Sequence, residues 1–123
     1  MSHIVTITTE VRDRAAVRRA CKRLQLAPPV AGKHRLYGGQ VDGLAVQLPD
    51  WRYPVVCQLN TGKLHYDNYQ GHWGERKCLD AFLQAYTVEK AKLEARRRGH
   101  GVAEQPLADG SIKLVVQVNG GAA

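Results

Sequence analysis

Cysteine and long apolar runs are scarce in this sequence, and their scarcity excludes several classes of protein. The three cysteines, Cys21, Cys57 and Cys78, lie 36 and 21 residues apart, so neither a disulfide scaffold nor a CxxC zinc knuckle is predicted. No stretch approaches the roughly 20 apolar residues that cross a bilayer, and the first residues lack the basic-then-apolar layout of a signal peptide. We therefore expect a cytoplasmic protein with no membrane partner.

Short motifs of common catalytic and cofactor sites are also absent. The glycines match neither GxGxxG nor GxxxxGK[ST], and GxSxG, HExxH and carboxylates at catalytic spacing do not occur. His65 and His72 could meet Cys57 or Cys78 at a zinc ion, but their spacing fixes no such geometry. We expect no catalytic residue, no cofactor and no metal, and the sequence favours a protein that is not an enzyme.

The first third of the chain predicts a strand followed by a helix. Apolar and polar residues alternate over residues 4–11, many of them β-branched, which is typical of a strand with one buried face. Asp13 offers an N-cap, and a helical apolar period follows it. Pro28 and Pro29 end the predicted helix.

The remaining residues predict hairpins, one long helix and a last hairpin. Residues 33–68 alternate with a period of two around turns at Asp42-Gly43 and Asn60-Thr61-Gly62, which favours antiparallel pairing. An apolar stripe predicts a helix over about residues 75–98, with three arginines and a glycine at its end. A terminal hairpin is expected over residues 102–118.

These elements predict an α+β fold. Each element has one apolar face, and a two-layer sandwich buries all of these faces. We therefore expect a mostly antiparallel sheet of six or seven strands with two helices on one face. Residues 1–119 are predicted to form a single domain, and residues 120–123 a frayed tail. The sheet face away from the helices is expected to be polar and to carry Thr6, Thr8, Gln47, Gln58, His65, Lys113 and Gln117.

Positive charge is concentrated in the two predicted helices. The chain has 18 Lys and Arg against 11 Asp and Glu, a formal net charge of +7, which favours anionic partners. The windows 12–23 and 76–98 hold 13 of these cations and four acids, a net of +9. This basic layer is either a polyanion surface, where arginines contact phosphates, or the solvated side of two amphipathic helices.

Aromatic residues are concentrated in the middle of the chain. A peptide or nucleic-acid bases could stack on them, but Tyr66 alternates with Leu64, so core filling and loop anchoring are the favoured interpretation. No aromatic run falls on the polar sheet face, which argues against an RNA-recognition module. Five of the eight aromatic residues lie between positions 51 and 73: Trp51, Tyr53, Tyr66, Tyr69 and Trp73.

Both chain ends carry a family resemblance. The chain starts MSHI before a threonine-rich strand, and it reads GHGVAEQ over residues 99–105 and ADGSIKLVV over residues 108–116. In these segments and in element order it resembles the family of hypothetical chloroplast reading frame thirty-five proteins, which has cyanobacterial, plastid, bacterial and phage members. Residues 27–75 are not matched residue by residue.

What the resemblance implies is a small cytoplasmic or stromal α+β protein. Its motifs are structural, so no catalytic residue is carried over. Some relatives are encoded beside AAA-type ATPases and ferredoxin-like proteins, which suggests that the protein acts together with a partner.

The leading hypothesis is a non-catalytic binding module that docks on a larger protein, with an AAA-type ATPase as the candidate. The alternative is a nucleic-acid-binding protein that uses the basic helical face, and the exposed hairpin edges also offer a surface for a homodimer. Trp and Arg dominate interface hot spots, and arginines also contact phosphates. The predicted partner or polyanion contacts are Arg18, Arg19, Arg23, Trp51, Trp73, Arg96 and Arg97.

Overall fold

Two helices and seven strands follow one another in the computed structural model, which describes residues 3–118. The α+β fold predicted from periodicity is confirmed, and the predicted tail at 120–123 lies outside the described residues. Neither helix in residues 3–118 has the length and apolarity needed to cross a membrane. The elements are β1 (Val5–Thr8), α1 (Arg14–Arg23), β2 (Val30–Leu36), β3 (Gly39–Val46), β4 (Val55–Gln58), β5 (Lys63–Tyr66), a short 3-10 turn (Tyr69–Gly71), α2 (Arg76–Arg97), β6 (Gly101–Pro106) and β7 (Ile112–Gln117).

The strands divide into two antiparallel sheets. Five strands form one sheet in the order β1-β5-β4-β3-β2, and β6 and β7 form a separate two-stranded sheet. The reason is the length of α2: its 22 residues extend about 33 Å at about 1.5 Å per residue, longer than any strand of the sheet. The chain therefore leaves α2 beyond the sheet, and the terminal hairpin packs on the helices instead of pairing with a sheet edge.

Helix α1 begins at the cap that the sequence supplies. The Asp13 carboxylate accepts hydrogen bonds from the backbone N–H groups of Ala15 and Ala16, at 2.9 and 3.3 Å, which satisfies two donors of the first turn. The side of α1 that carries Val17 and Cys21 is buried. Capping and the apolar stripe together place this helix against the sheet.

Both helices pack on the same face of the five-stranded sheet and enclose the main core with it. The largest side chain at 0% exposure is Phe82 of α2, and burying such a ring stabilises the fold by roughly 1.5–3 kcal/mol. The buried members of this core are Val11, Ala16, Val17, Ala20, Cys21, Leu44, Val46, Leu48, Trp51, Val55, Cys57, Leu64, Tyr66, Leu79, Phe82, Ala85 and Tyr86.

The opposite face of the sheet is polar only in part. His65 Nε2 donates to Gln58 Oε1 at 2.8 Å, and its Nδ1 accepts from the Thr6 hydroxyl at 2.8 Å, so the expected polar row exists there. Lys113 and Gln117, which were also expected on this face, lie on the separate hairpin instead.

Elsewhere on this face the sheet curls over a second, smaller core. Leu36, Ala45 and Val56 are buried there. At the tip of the β2–β3 hairpin, a Cβ added to Gly38 would lie 3.3 Å from Cγ1 of Ile4, just before β1. Since β1 and β2 are the two edges of the sheet, its twist brings the two edges together. The prediction of a polar face therefore holds for only part of it, because strand alternation does not reveal such curling.

Ion pairs attach the terminal hairpin to both helices. Arg23 of α1 donates to Glu104 of β6 at 3.0 Å and to Glu89 of α2 at 3.2 Å. Lys92 of α2 donates to Glu104 at 2.9 Å and lies 3.5 Å from Glu89. Hydrogen bonds from Arg23 and then Lys92 lower the pKa of Glu104 to about 2. One network thus holds three elements together.

The substitution Glu104→Gln should remove a stabilisation that depends on pH. Because its folded pKa lies below the ordinary value of 4.5, this carboxylate stabilises the fold above about pH 4.5, and the contribution is lost as the pH falls towards 2. The side chain is 25% exposed, so we expect a loss of about 1 kcal/mol, a few degrees in Tm, at pH 7. Thermal unfolding followed by circular dichroism should show this difference shrinking steadily below pH 4.5.

The matched control is Glu10→Gln, since the exposed Glu10 makes no ion pair with the described residues. Its Tm should follow that of the wild type. A Tm difference for Glu104→Gln that is the same at pH 3 and pH 7 would contradict an ionic origin of the stabilisation.

Candidate functional site

Trp51 belongs to the core, so the prediction that it contacts a partner is corrected. Its side chain is 4% exposed, its Nε1 donates to the carbonyl of Glu75 at 3.1 Å, and its ring meets Tyr66 edge-on at 5.6 Å. A Cβ on Gly74 would overlap the indole. Trp51 lies in a loop with no hydrophobic period, so the sequence pattern could not reveal its burial.

Trp73 lies instead at the centre of a partly exposed group of aromatic rings. Its ring stacks on Tyr69 at 4.9 Å and contacts Tyr37 at 5.3 Å and Tyr53 at 5.7 Å. The guanidinium of Arg52 lies over the indole at 4.9 Å, a cation–π distance. We call Tyr37, Arg52, Tyr53, Tyr69 and Trp73 the aromatic–arginine cluster.

Three separate segments build this cluster. Tyr37 comes from the β2–β3 turn, Arg52 and Tyr53 from the β3–β4 loop, and Tyr69 and Trp73 from the loop before α2. The backbone N–H of Arg52 donates to the carbonyl of Trp73 at 2.8 Å, which ties two of these loops together. Tyr37 is 60% exposed, so the cluster reaches the surface.

The loop that carries Tyr69 and Trp73 holds an unusual backbone. Tyr69, Gln70 and Gly71 have consecutive φ values of 48°, 54° and 96°, and left-handed conformations cost non-glycine residues roughly 1–3 kcal/mol each. Hydrogen bonds hold the loop in place: the Asn68 carbonyl accepts from the N–H of Trp73 at 2.9 Å. Strain of this kind clusters at functional sites.

A buried carboxylate lies at the base of the same loop. Asp67 is 1% exposed, and its Oδ1 accepts a long hydrogen bond of 3.4 Å from the N–H of Tyr69. Its Oδ2 has no hydrogen-bond partner among residues 3–118, although almost all buried polar atoms have one. The loop therefore departs twice from what stability alone favours, once in its backbone and once in this oxygen.

The five arginines predicted as contacts lie on the helices, apart from the cluster, and fall into two groups. Arg19, Arg23 and Arg97 are engaged by carboxylates of the α1 cap, of α2 and of β6. The side chains of Arg18 and Arg96 are exposed and have no hydrogen bond or ion pair with the part of the chain that the structure describes. The basic helical layer is thus divided into paired and unpaired cations, which charge counting alone could not resolve.

Arg52 is the cluster residue that the predicted contacts omitted. Arg52 is the only cation in the segment Trp51-Arg52-Tyr53, whereas the two helical windows contain 13 Lys and Arg. Counting charge therefore drew attention to the helices and not to Arg52. Its position between two aromatic residues was the available signal, because arginine stacks readily on aromatic faces.

The hypothetical zinc ligands do not converge. Cys57 and His65 point to opposite faces of the sheet, since His65 is paired with Val56 and Cys57 with Leu64. No group of three or more His, Cys, Asp or Glu side chains within residues 3–118 is placed to hold a metal ion. Burial raises the pKa of Cys57 to about 12, so this thiol is not a nucleophile near neutral pH.

Replacing each tryptophan by alanine should separate the core role from the surface role. We expect Trp51→Ala to lower the free energy of unfolding by about 3–5 kcal/mol, because it leaves a cavity in the main core, and Trp73→Ala by about 1–2 kcal/mol, because its ring is partly solvated. Urea unfolding followed by far-ultraviolet circular dichroism measures both. Equal losses for the two variants would contradict the assignment of Trp51 to the core.

Comparison with known proteins does not assign a function to this site, so its role is inferred from its geometry. No protein-family model, curated protein or solved structure matches the chain. The resemblance of the chain ends to the family of hypothetical chloroplast reading frame thirty-five proteins therefore stays a prediction.

Proposed function

We propose that this protein is a non-catalytic binding module that docks on a larger protein through the aromatic–arginine cluster. The observation that carries the proposal is the convergence of one tryptophan, three tyrosines and one arginine at a partly exposed surface. Trp, Tyr and Arg are the residues most enriched in interface hot spots.

The contrast between the two tryptophans supports a surface role for the cluster. Trp51 is 4% exposed with its N–H bonded to a carbonyl, which is how this fold uses a ring for stability. The Trp73 ring instead contacts three tyrosines at a partly exposed surface, and it follows a strained turn at Tyr69 and Gln70. Such rigid aromatic side chains lose little conformational entropy when a partner covers them.

The family resemblance suggests an AAA-type ATPase as the partner. We also propose that the protein is located in the cytoplasm. The resemblance alone supports the choice of ATPase. All three cysteines are free, and Cys21 and Cys57 are buried as thiols, which is typical of a reducing compartment.

Site-specific crosslinking should identify the partner. A photo-reactive amino acid in place of Tyr37, 60% exposed in the cluster, is expected to crosslink a larger protein in cells. The same group at Gln105, exposed on the terminal hairpin, should not capture that protein.

Affinity for the purified crosslinked protein then tests the residues. We expect Trp73→Ala and Arg52→Ala to raise the Kd by about 30-fold or more, equivalent to about 2 kcal/mol of binding energy, as measured by isothermal titration calorimetry. Arg96→Ala removes an exposed, unpaired arginine outside the cluster and should change the Kd less than twofold. A loss with Arg96→Ala, while Arg52→Ala binds normally, would move the docking site to the helices.

Self-association through the terminal hairpin is the second interaction we propose. Strand β7 is one edge of a two-stranded sheet and carries Val115 and Val116, 42% and 50% exposed, and exposed edges of this kind pair with other chains. Sedimentation velocity should show a dimer at micromolar concentration that Val115→Lys converts to monomer. A wild-type monomer throughout this range would contradict the hypothesis.

A further inference from the structure

A cleft between the two helices collects positive charge away from the aromatic–arginine cluster. It has a volume of about 470 Å³, within the range of small-molecule sites. Its lining consists of five basic side chains and one acidic side chain: Arg18, Arg19, Lys22, Arg23, Glu89 and Lys92.

The carboxylates at the cleft do not neutralise its cations. Glu89 is 6% exposed and binds Arg23, with Arg19 at 4.0 Å and Lys92 at 3.5 Å. Glu104 of β6 also accepts hydrogen bonds from Arg23 and Lys92. Counting both carboxylates, five cations face two anions, and this excess of positive charge favours an anionic ligand.

The paired cations are held in position, and the unpaired ones are free to bind. Arg23 is fixed by two carboxylates, so its guanidinium is oriented before any ligand arrives. Arg18 and Lys22 are one helical turn apart on α1, and their side chains have no hydrogen bond or ion pair with any described residue. Ammonium and guanidinium groups arranged in this way are suited to phosphate oxygens.

The surroundings of the cleft favour a compact ligand over a long nucleic acid. Towards the start of α1, the neighbouring cations Lys90 and Arg97 are already engaged by Asp13 and Glu94. An extended backbone that leaves the cleft in this direction would therefore meet paired cations, with Arg14 as an unpaired arginine on α1. No aromatic side chain lines the cleft, so a base would have no ring to stack on.

We propose that the α1–α2 cleft binds a compact anion that carries several linked phosphate groups. This site lies outside the aromatic–arginine cluster and is independent of the docking function. The phosphates contact Arg18 and Lys22 directly and complete their coordination on Arg19, Arg23 and Lys92.

Isothermal titration calorimetry of the full chain with inorganic triphosphate, at 150 mM NaCl, tests the proposal. We expect a 1:1 complex with a micromolar Kd, and at least tenfold weaker binding of sulfate, which lacks linked charges. Arg18→Gln combined with Lys22→Gln should weaken triphosphate binding at least tenfold. Because both side chains are exposed and unpaired, this variant should keep the wild-type Tm; the single variant Lys22→Gln replaces it if it does not.

The matched control is Arg14→Gln. Arg14 is an exposed, unpaired arginine on the same helix, one turn before Arg18 and outside the cleft, so its loss should change the Kd less than twofold. Absence of triphosphate binding at 150 mM NaCl would overturn the proposal, and so would equal losses in Arg14→Gln and the double variant.

A second titration separates the compact anion from a nucleic acid. Fluorescence anisotropy measures the affinity for a 20-nucleotide RNA and for DNA duplexes at several salt concentrations. The slope of log affinity against log salt concentration then gives the number of contacted phosphates, at about 0.9 per phosphate on duplex DNA. We expect a shallow slope and competition by triphosphate. Tighter binding to RNA or DNA, with a steep slope that both Arg14→Gln and Arg96→Gln reduce, would replace the cleft proposal with the nucleic-acid surface predicted from charge.

Discussion

The packing of Trp51 is the interaction on which the candidate docking site depends. Its indole is enclosed by Tyr66 and by the backbone at Gly74, and its N–H reaches the carbonyl of Glu75 at the start of α2. The β3–β4 loop is thereby fixed to the loop before α2. Since Arg52 follows Trp51 directly, burying one residue sets the position of the next at the surface, beside Trp73.

Sheet curvature supplies the other half of the cluster. Tyr37 is next to the hairpin tip that approaches Ile4, and its ring reaches Trp73 only because the sheet bends across its own outer face. A flat sheet would hold the β2–β3 turn away from the loop before α2. The second small core of Leu36, Ala45 and Val56 therefore stabilises the bend and, through it, the placement of Tyr37.

Local patterns predicted the two helices and most strands, but the turn expected at Asp42-Gly43 lies inside β3, and the chain turns at Tyr37 and Gly38 instead. Contacts between distant residues set the limits of prediction. The Asp13 cap predicted where α1 begins, and the apolar stripe of residues 75–98 predicted both ends of α2 to within one residue. Helix α1 ends at Arg23, however, before the Pro28 and Pro29 that were expected to end it. The burial of Trp51 and the bend at Gly38 depend on partners distant in sequence. The division of the arginines into paired and unpaired groups depends likewise on where Glu104 and Asp13 lie in space.

The pairing of β1 with β5 has a consequence for synthesis of the chain. β1 lies at the edge of its sheet and has β5 as its neighbour, so that Thr6 and its partner His65 are 59 residues apart. At about 5–20 residues per second on a ribosome, β1 waits about 3–12 s for that partner. Helix α1, in contrast, has its cap and its turns within one local segment. Strand β1 is thus made before the other four strands of its sheet yet cannot pair until β5 follows, and its β-branched edge is open to wrong pairing in the meantime.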